Sequence, residues 1–276
     1  MTSPLESKRI GFIGCGAMAR ALAGGLLAAG IPADRMGGAD VADAQRQDFE
    51  SALGIQTFAT NPELVAQSDV LVLCVKPGVM VEVLAGLQDQ PALERPLWIS
   101  IAAGIRIASL EAALPAGARI IRTMPNTPAL VGAGASVICP NQAAGDADEA
   151  IADALFSAVG STWRAPSEDL MDPVTGLSGS GPAYVFLFLE GLAEAGVRQG
   201  LPRDAALALA LQTTFGAAKL ALEDGRAPAE LRAQVSSPGG TTLAGLAQLD
   251  LADLRGALDR AVEAATARSR ELSDGA

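Results

Sequence analysis

The 276-residue sequence has no histidine. That absence excludes a histidine-based catalytic triad, an imidazole proton shuttle and nearly all ordinary zinc sites, so no metal is expected and any proton chemistry needs another donor. Cysteine is scarce: Cys15, Cys74 and Cys139 lie far apart in apolar, strand-like runs. This suits reduced core thiols in a cytoplasmic protein better than a disulfide framework. Basic residues are outnumbered, 20 against 31 acidic, for a formal charge of −11. Spread along the chain, that excess repels phosphate backbones and excludes nucleic acid as a partner. No run reaches the roughly 18 uninterrupted apolar residues that span a bilayer. Residues 1–9 are polar and carry no apolar leader-like stretch, so the expectation is a soluble, cytoplasmic chain with no membrane partner.

What is present is an alternation of strands and helices, in a chain long enough for two domains. Arg9 to Ile13 reads as a short buried strand, followed by glycines and a helical run from Met18 to Ala29. Met36 to Ala39 gives a second strand and Ala42 to Leu53 a helix. Asn61-Pro62-Glu63 has the form of an N-cap with proline at the first helical position. Val70 to Val75 has no polar alternation, as expected of a central strand covered on both faces in a parallel sheet. Strand-like runs at 97–101, 119–123 and 135–138 alternate with further helices. The fold class is therefore α/β, with a doubly wound sheet over residues 1–166.

From Leu170 the pattern is helical: 184–199, 202–223, 228–235 and 251–272, with a short helix after Pro238. An all-helical C-terminal domain over residues 167–276 follows. Its alanine-rich helices suit either a subunit interface or a self-contained core.

Gly14-Cys-Gly-Ala-Met-Ala19 matches the G-x-G-x-x-G/A pattern between the first strand and the first helix. Gly14 permits the tight turn, Gly16 lets backbone approach a pyrophosphate, Ala17 and Met18 open the helix, and Ala19 lets helix and strand pack closely. Asp40 ends the second strand, where its carboxylate either accepts ribose hydroxyls or caps the next helix. The first role favours NADH, and Arg46 is placed to compensate for a 2′-phosphate. The strand ends also bring Val75-Lys76-Pro77, Ala102-Ala103-Gly104 and Asn126 to the crevice of an open α/β sheet. Lys76 is also readable as a solvated charge, and the prolines around Asn126 as a strand stop.

Four stretches, the Gly14 fingerprint, Val75-Lys-Pro77, Arg122-Thr-Met-Pro-Asn-Thr-Pro128 and Gly176-Leu-Ser-Gly-Ser-Gly-Pro-Ala-Tyr184, resemble the pyrroline-5-carboxylate reductase family. A fifth, Val235-Ser-Ser-Pro-Gly-Gly-Thr-Thr242, is similar to that family's substrate loop. The resemblance implies a Rossmann-type domain followed by a helical dimerisation domain, NADPH or NADH as cofactor, and a homodimer or higher homo-oligomer with its active site across the dimer interface. It implies cofactor contacts at Asn61 and around Lys76, and substrate contacts at Glu168, Thr241 and Thr242. Gln234 is a further expected substrate contact, although relatives often have Asn or Lys there. Asp40-Val41 stands where the family, which favours NADPH, often has a phosphate-friendly pair, and so leaves NADH open.

The implied substrate is a small molecule with one carboxylate and one C=N bond. Gly239 and Gly240 let successive N–H groups turn inward as a nest for the carboxylate, or else simply begin a helix. Reduction of the imine needs a protonated nitrogen. Thr242, the expected catalytic residue, is too weak an acid to supply that proton and would position the nitrogen instead. Glu168 would either stabilise an iminium or cap the helix near Leu170. A hydroxyacid dehydrogenase of similar plan would need a lysine in its first interdomain helix, whereas Lys219 lies well downstream. A related dinucleotide-dependent imine reductase of another substrate and a non-catalytic nucleotide sensor are the remaining alternatives.

Overall fold

The computed structural model describes residues 3–88, 90–91 and 93–274. The chain divides into two compact units, one running to Ser180 and taking in the segment from Ala264 onward, the other Gly181–Glu263.

The first unit is α/β. Its strands are β1 (Ile10–Ile13), β2 (Met36–Ala39), β3 (Gln56–Phe58), β4 (Val70–Leu73), β5 (Leu97–Ser100), β6 (Arg119–Met124), β7 (Gly134–Pro140) and β8 (Gly160–Arg164). They form one sheet in the order β3-β2-β1-β4-β5-β6-β7-β8. The order reverses between β1 and β4, both of which pair in parallel with in-register partners Ile10 to Val70 and Ile13 to Leu73. β1 and β4 are buried along their whole length, which is why they read as unbroken apolar runs.

Helices α1 (Ala17–Ala28), α2 (Asp43–Leu53), α3 (Asn61–Val65), α4 (Met80–Ala85), α5 (Ile107–Ala113) and α6 (Asp146–Ser157) cover the two faces. One core gathers Leu22 and Leu26 of α1, Phe49 of α2 and Phe156 of α6. The other gathers Leu64, Met80, Leu84 and Leu110 from α3, α4 and α5. Each such side chain contributes on the order of 1.5–3 kcal/mol by leaving water. This is the doubly wound, Rossmann-type sheet expected from the sequence.

Three features depart from that reading. β7 is antiparallel to β6: a short link containing Pro125, Pro128 and left-handed Gly132 (φ 71°) replaces the long crossover that a parallel pair needs. β3 and β8 escape notice because they are short edge strands without an apolar face. Thr60, not Asn61, is the N-cap of α3, so Asn61 and Pro62 occupy its first two positions.

Beyond β8 come α7 (Met171–Val174) and a π-helical turn, Thr175–Gly179. The helical unit holds α8 (Gly181–Arg198), α9 (Arg203–Asp224), α10 (Pro228–Gln234), α11 (Thr241–Leu251) and the start of α12 (Leu254–Asp274), whose last turns belong to the first unit. α9 exposes Leu207, Leu209, Leu211, Phe215, Leu220 and Leu222. Among the described residues it is the one helix long and apolar enough, by length and composition, to cross a membrane.

Candidate cofactor and substrate sites

The turn after β1 is set by backbone geometry. Gly14 adopts φ +96°, a region that only glycine enters without strain. A Cβ there would lie 2.8 Å from the Cys74 carbonyl oxygen, and the Gly14 N–H donates to the Ala39 carbonyl at 2.7 Å. Gly16 is the N-cap of α1 and has no side-chain cap. A Cβ on Gly16 would meet nothing within 4 Å, so the backbone there faces open space. The first-turn N–H groups of Ala17, Met18 and Ala19 open the helix, while the Ala19 side chain is fully buried. An uncapped helix N-terminus behind an open glycine fits a pyrophosphate, whose charge the helix dipole and free N–H groups receive.

Asp40 is bound on both carboxylate oxygens. Oδ2 accepts the Cys15 N–H at 2.8 Å and Oδ1 the Ala42 N–H at 2.9 Å. It therefore ties the glycine turn to the start of α2, and its remaining lone pairs are what a ribose would meet. Arg46 donates from Nη1 to the Asp40 carbonyl at 2.5 Å and also pairs with Asp43. Burial, and then the Asp40 charge, push the Cys15 thiol up to about 12, so this thiol is not a nucleophile at neutral pH.

A cleft of about 290 Å³ opens at the point where strand order reverses, and Gly14, Asp40, Asn61, Val75, Val79 and Glu82 are among its walls. The structure thus brings together four of the expected cofactor residues from β1, β2, α3 and β4. Lys76 follows Val75 and is exposed; Pro77 begins a 3₁₀ turn. Ala102, Ala103 and Gly104 lie outside this cleft, at the carboxyl end of β5, with Ala102 and Gly104 buried and Ala103 half-buried. The Asn126 amide is committed elsewhere: Nδ2 donates to the Ser178 carbonyl at 3.1 Å and Oδ1 accepts the Ala135 N–H at 2.9 Å. It joins the loop after β6 to β7 and to the π-helical turn.

Glu168 Oε1 accepts two bonds, from Arg122 Nη1 and from the Ile107 N–H, both at 2.7 Å. The Arg122 side chain is 4% exposed and that of Glu168 29%. The cap of the turn before Leu170 is Ser167, whose hydroxyl accepts the Asp169 N–H. Arg122 was missed by the sequence reading, although a signal existed: a cation inside the apolar run of β6 requires a buried anion.

In the helical unit, Gly239 is left-handed at φ +71°. Gly240 is the N-cap of α11 with no side-chain cap. Its own N–H goes to the Ser237 carbonyl at 3.0 Å, and a Cβ there would meet Ser237 Oγ at 2.5 Å. The N–H groups that face outward are therefore those of Thr241 and Thr242, the first two residues of α11. Gln234 closes α10, and its Oε1 accepts a bond from Arg226 Nη2 at 3.1 Å.

A doubly wound sheet with an open glycine turn and a cleft at its switch point, followed by a helical unit, defines a dinucleotide-dependent oxidoreductase. Residues 9–104 match the family described as NADP oxidoreductase, coenzyme F420-dependent, and residues 168–272 the pyrroline-5-carboxylate reductase dimerisation domain. A pyrroline-5-carboxylate reductase of Arabidopsis thaliana is 45% identical, over 98% of this chain and 97% of its own. Another from Methanosarcina acetivorans is 45% identical over 97% and 99%. The structure of a pyrroline-5-carboxylate reductase from Coxiella burnetii superposes with a TM-score of 0.92 at 37% identity, covering 97% of this chain and 99% of that one. The Plasmodium falciparum pyrroline carboxylate reductase with NADP bound gives 0.85 at 32% identity, again over 97% and 99%. The chain belongs to the pyrroline-5-carboxylate reductase family, and as such is an NAD(P)H-dependent oxidoreductase with the family's dimerisation domain.

Proposed function

We propose that the chain reduces the C=N bond of 1-pyrroline-5-carboxylate to L-proline, with bound NAD(P)H supplying the hydride. The observation that carries the substrate side is the uncapped N-terminus of α11 after Gly239 and Gly240. The Thr241 and Thr242 N–H groups suit a single small carboxylate and need no arginine. A threonine hydroxyl is too weak an acid to protonate the imine, so the substrate enters as the iminium and Thr242 Oγ1 accepts its N–H, fixing the ring for attack. Gln234, whose Oε1 is held by Arg226, keeps its amide nitrogen as a donor for a secondary substrate contact. The Glu168 bonds to Arg122 and Ile107 both fall on Oε1, which leaves Oε2 as the carboxylate oxygen that can face an iminium.

On the cofactor side, Gly14, Gly16, Ala17, Met18 and Ala19 would hold the pyrophosphate, and Asp40, Asn61, Val75, Lys76 and Pro77 the adenosine half. Ala102, Ala103 and Gly104 would border the nicotinamide, and Asn126, bonded to Ser178 and Ala135, would hold the loop after β6 for it. Asp40 presents a negative charge at the ribose, and Arg46 is held by Asp43 and by the Asp40 carbonyl; NADH is therefore the favoured donor. By function, residues 1–166 bind the dinucleotide and residues 167–276 dimerise and bind substrate.

The exposed apolar surface of the helical unit fits a homodimer or higher homo-oligomer. An apolar cavity of about 480 Å³ lined by Tyr184, Val185, Leu187, Phe188, Leu254 and Leu258 is covered in this reading by a second copy, not by lipid. The −11 charge argues against nucleic acid, and the three unpaired thiols suit the cytoplasm. The test is cofactor oxidation with pyrroline-5-carboxylate, run with NADH and NADPH in parallel and with proline identified as product. Binding of both cofactors without proline formation would remove the substrate assignment.

A further inference from the structure

The last turns of α12 return to the first unit, where they bury hydroxyls instead of apolar side chains. Thr266, Ser269 and Ser273 are 8%, 3% and 4% exposed, on one face at helical spacing. Ser269 Oγ donates to Asp172 Oδ1 at 2.6 Å, and Ser273 Oγ reaches the same oxygen at 3.4 Å. Asp172, in α7, is itself 7% exposed. A buried carboxylate held by hydroxyls loses much when they are removed, because its desolvation is then uncompensated. Asp172 and these serines, roughly a hundred residues apart in sequence, thus form a specific latch.

What the latch holds lies between its two serines. Gly104, left-handed at φ +76°, ends the turn after β5. A Cβ placed on it would lie 3.1 Å from Leu272 Cβ and 3.5 Å from the Leu272 carbonyl carbon. The end of α12 therefore sits directly against the turn's backbone. Within the turn itself, the Ala102 N–H donates to Ser100 Oγ at 3.4 Å, a long bond.

We propose that the end of α12 is a strap that sets the Ala102–Gly104 turn for cofactor binding. Asp172, Ser269 and Ser273 are positioning residues, and Leu272 is the contact. This rests on the reading above that the turn borders the nicotinamide. The strap belongs to the first unit and α11 to the second, so cofactor affinity and substrate affinity should respond separately.

The test compares S269A/S273A and Ser269→Thr with Arg119→Gln, which removes the Arg119–Asp148 ion pair (2.6 Å) at the amino end of β6, as a control for general destabilisation. NADH and NADPH dissociation constants are measured by fluorescence without substrate, and hydrogen exchange of residues 101–106 is measured in the cofactor-free protein. The double variant should weaken the preferred cofactor about tenfold, speed exchange across 101–106, and leave KM for pyrroline-5-carboxylate within about twofold. Ser269→Thr should retain wild-type affinity. Arg119→Gln should lower Tm without changing cofactor affinity. Unchanged exchange at 101–106 in S269A/S273A would overturn the strap. Faster exchange with unchanged cofactor affinity would keep the strap as a packing device but overturn its role in binding. Failure of the wild-type protein to bind either cofactor would instead remove the cofactor reading, while exchange would still report on the strap.

Discussion

The Arg122–Glu168 pair gives the sharpest test of how this molecule divides structure from chemistry. Glu168→Ala leaves the Arg122 guanidinium, whose side chain is 4% exposed, without its anion, and also frees the Ile107 N–H at the start of α5. Removing one partner of a buried pair costs about 3–5 kcal/mol. Glu168 is itself 29% exposed, so some water can replace it, and the lower end, about 3 kcal/mol, is the expected loss. At roughly 2–4 °C per kcal/mol for a chain of this size, Tm should fall by about 6–12 °C. Glu168→Gln keeps an acceptor for both donors but not the charge, and should cost about half as much.

The assay is thermal unfolding followed by the fluorescence of Trp98 and Trp163, at one protein concentration because subunit association contributes to the midpoint. An R122M/E168L double variant, which removes both charges, should recover much of the loss, with a coupling of about 2 kcal/mol in the cycle. Turnover is then measured about 20 °C below the lowest midpoint. If Glu168 serves only Arg122 and α5, the kcat of Glu168→Gln stays within about threefold of wild type. A hundredfold loss of kcat with Tm hardly changed would refute that account and assign Oε2 to the iminium, since about 2.7 kcal/mol of barrier would then depend on the charge.

Other perturbations follow from the same geometry. Thr242→Ala should lower kcat about 10–100-fold with cofactor affinity unchanged and Thr242→Ser near wild type; equal losses in both quantities would make the loop purely structural. Asp40→Ser should shift the ratio of kcat/KM for NADPH over NADH upward by about tenfold, because the charge facing the 2′-position is removed while one acceptor remains for Cys15 or Ala42; an unchanged ratio would show that Asp40 serves only the glycine turn. The buried thiols set an alkaline limit. Burial raises Cys15 from 9.0 to about 12, and raises Cys74 and Cys139 as well. The folded state thus keeps protons that the unfolded state releases above pH 9. Their contribution is complete below that pH and is lost as pH rises toward 12, by up to about 1.4 kcal/mol per unit per thiol. Tm scanned from pH 8 to 10.5 should fall, and Cys74→Ala should flatten the slope; a slope unaffected by Cys74→Ala would refute the assignment.

The parts of this fold legible in the sequence are those whose cause is local. β1, the Gly14 turn and α1 occupy nineteen consecutive residues, and each choice there, an apolar run, a left-handed glycine, an open glycine and a small buried alanine, has its reason within the segment. The Thr241–Thr242 helix start was legible on the same grounds. β7 was found as a strand but not in its direction, because direction depends on how residues 125–133 turn, and the prolines read equally well as a stop. β8 lacked a signal altogether: Gly-Ser-Thr-Trp-Arg at a sheet edge buries little, with Trp163 half exposed, so no alternation marks it.

Long-range polar pairing is the harder class. Arg122 and Glu168 are 46 residues apart, and Asp172 and Ser269 are 97. Periodicity arguments treat each such residue as a solvated face, since they ask only whether a position is apolar. A hydroxyl residue every third or fourth position near the end of α12, Thr266, Ser269 and Ser273, is therefore indistinguishable from a surface stripe. The distinction lies in the partner. A carboxylate in α7 that is 7% exposed, as Asp172 is, is too costly to bury without donors. Asking which donors remain unassigned elsewhere in the chain leads to hydroxyls on a helix whose own sequence offers few apolar residues for packing. The latch is thus recoverable only by pairing two segments, because neither Asp172 nor Ser269 shows on its own that it is buried.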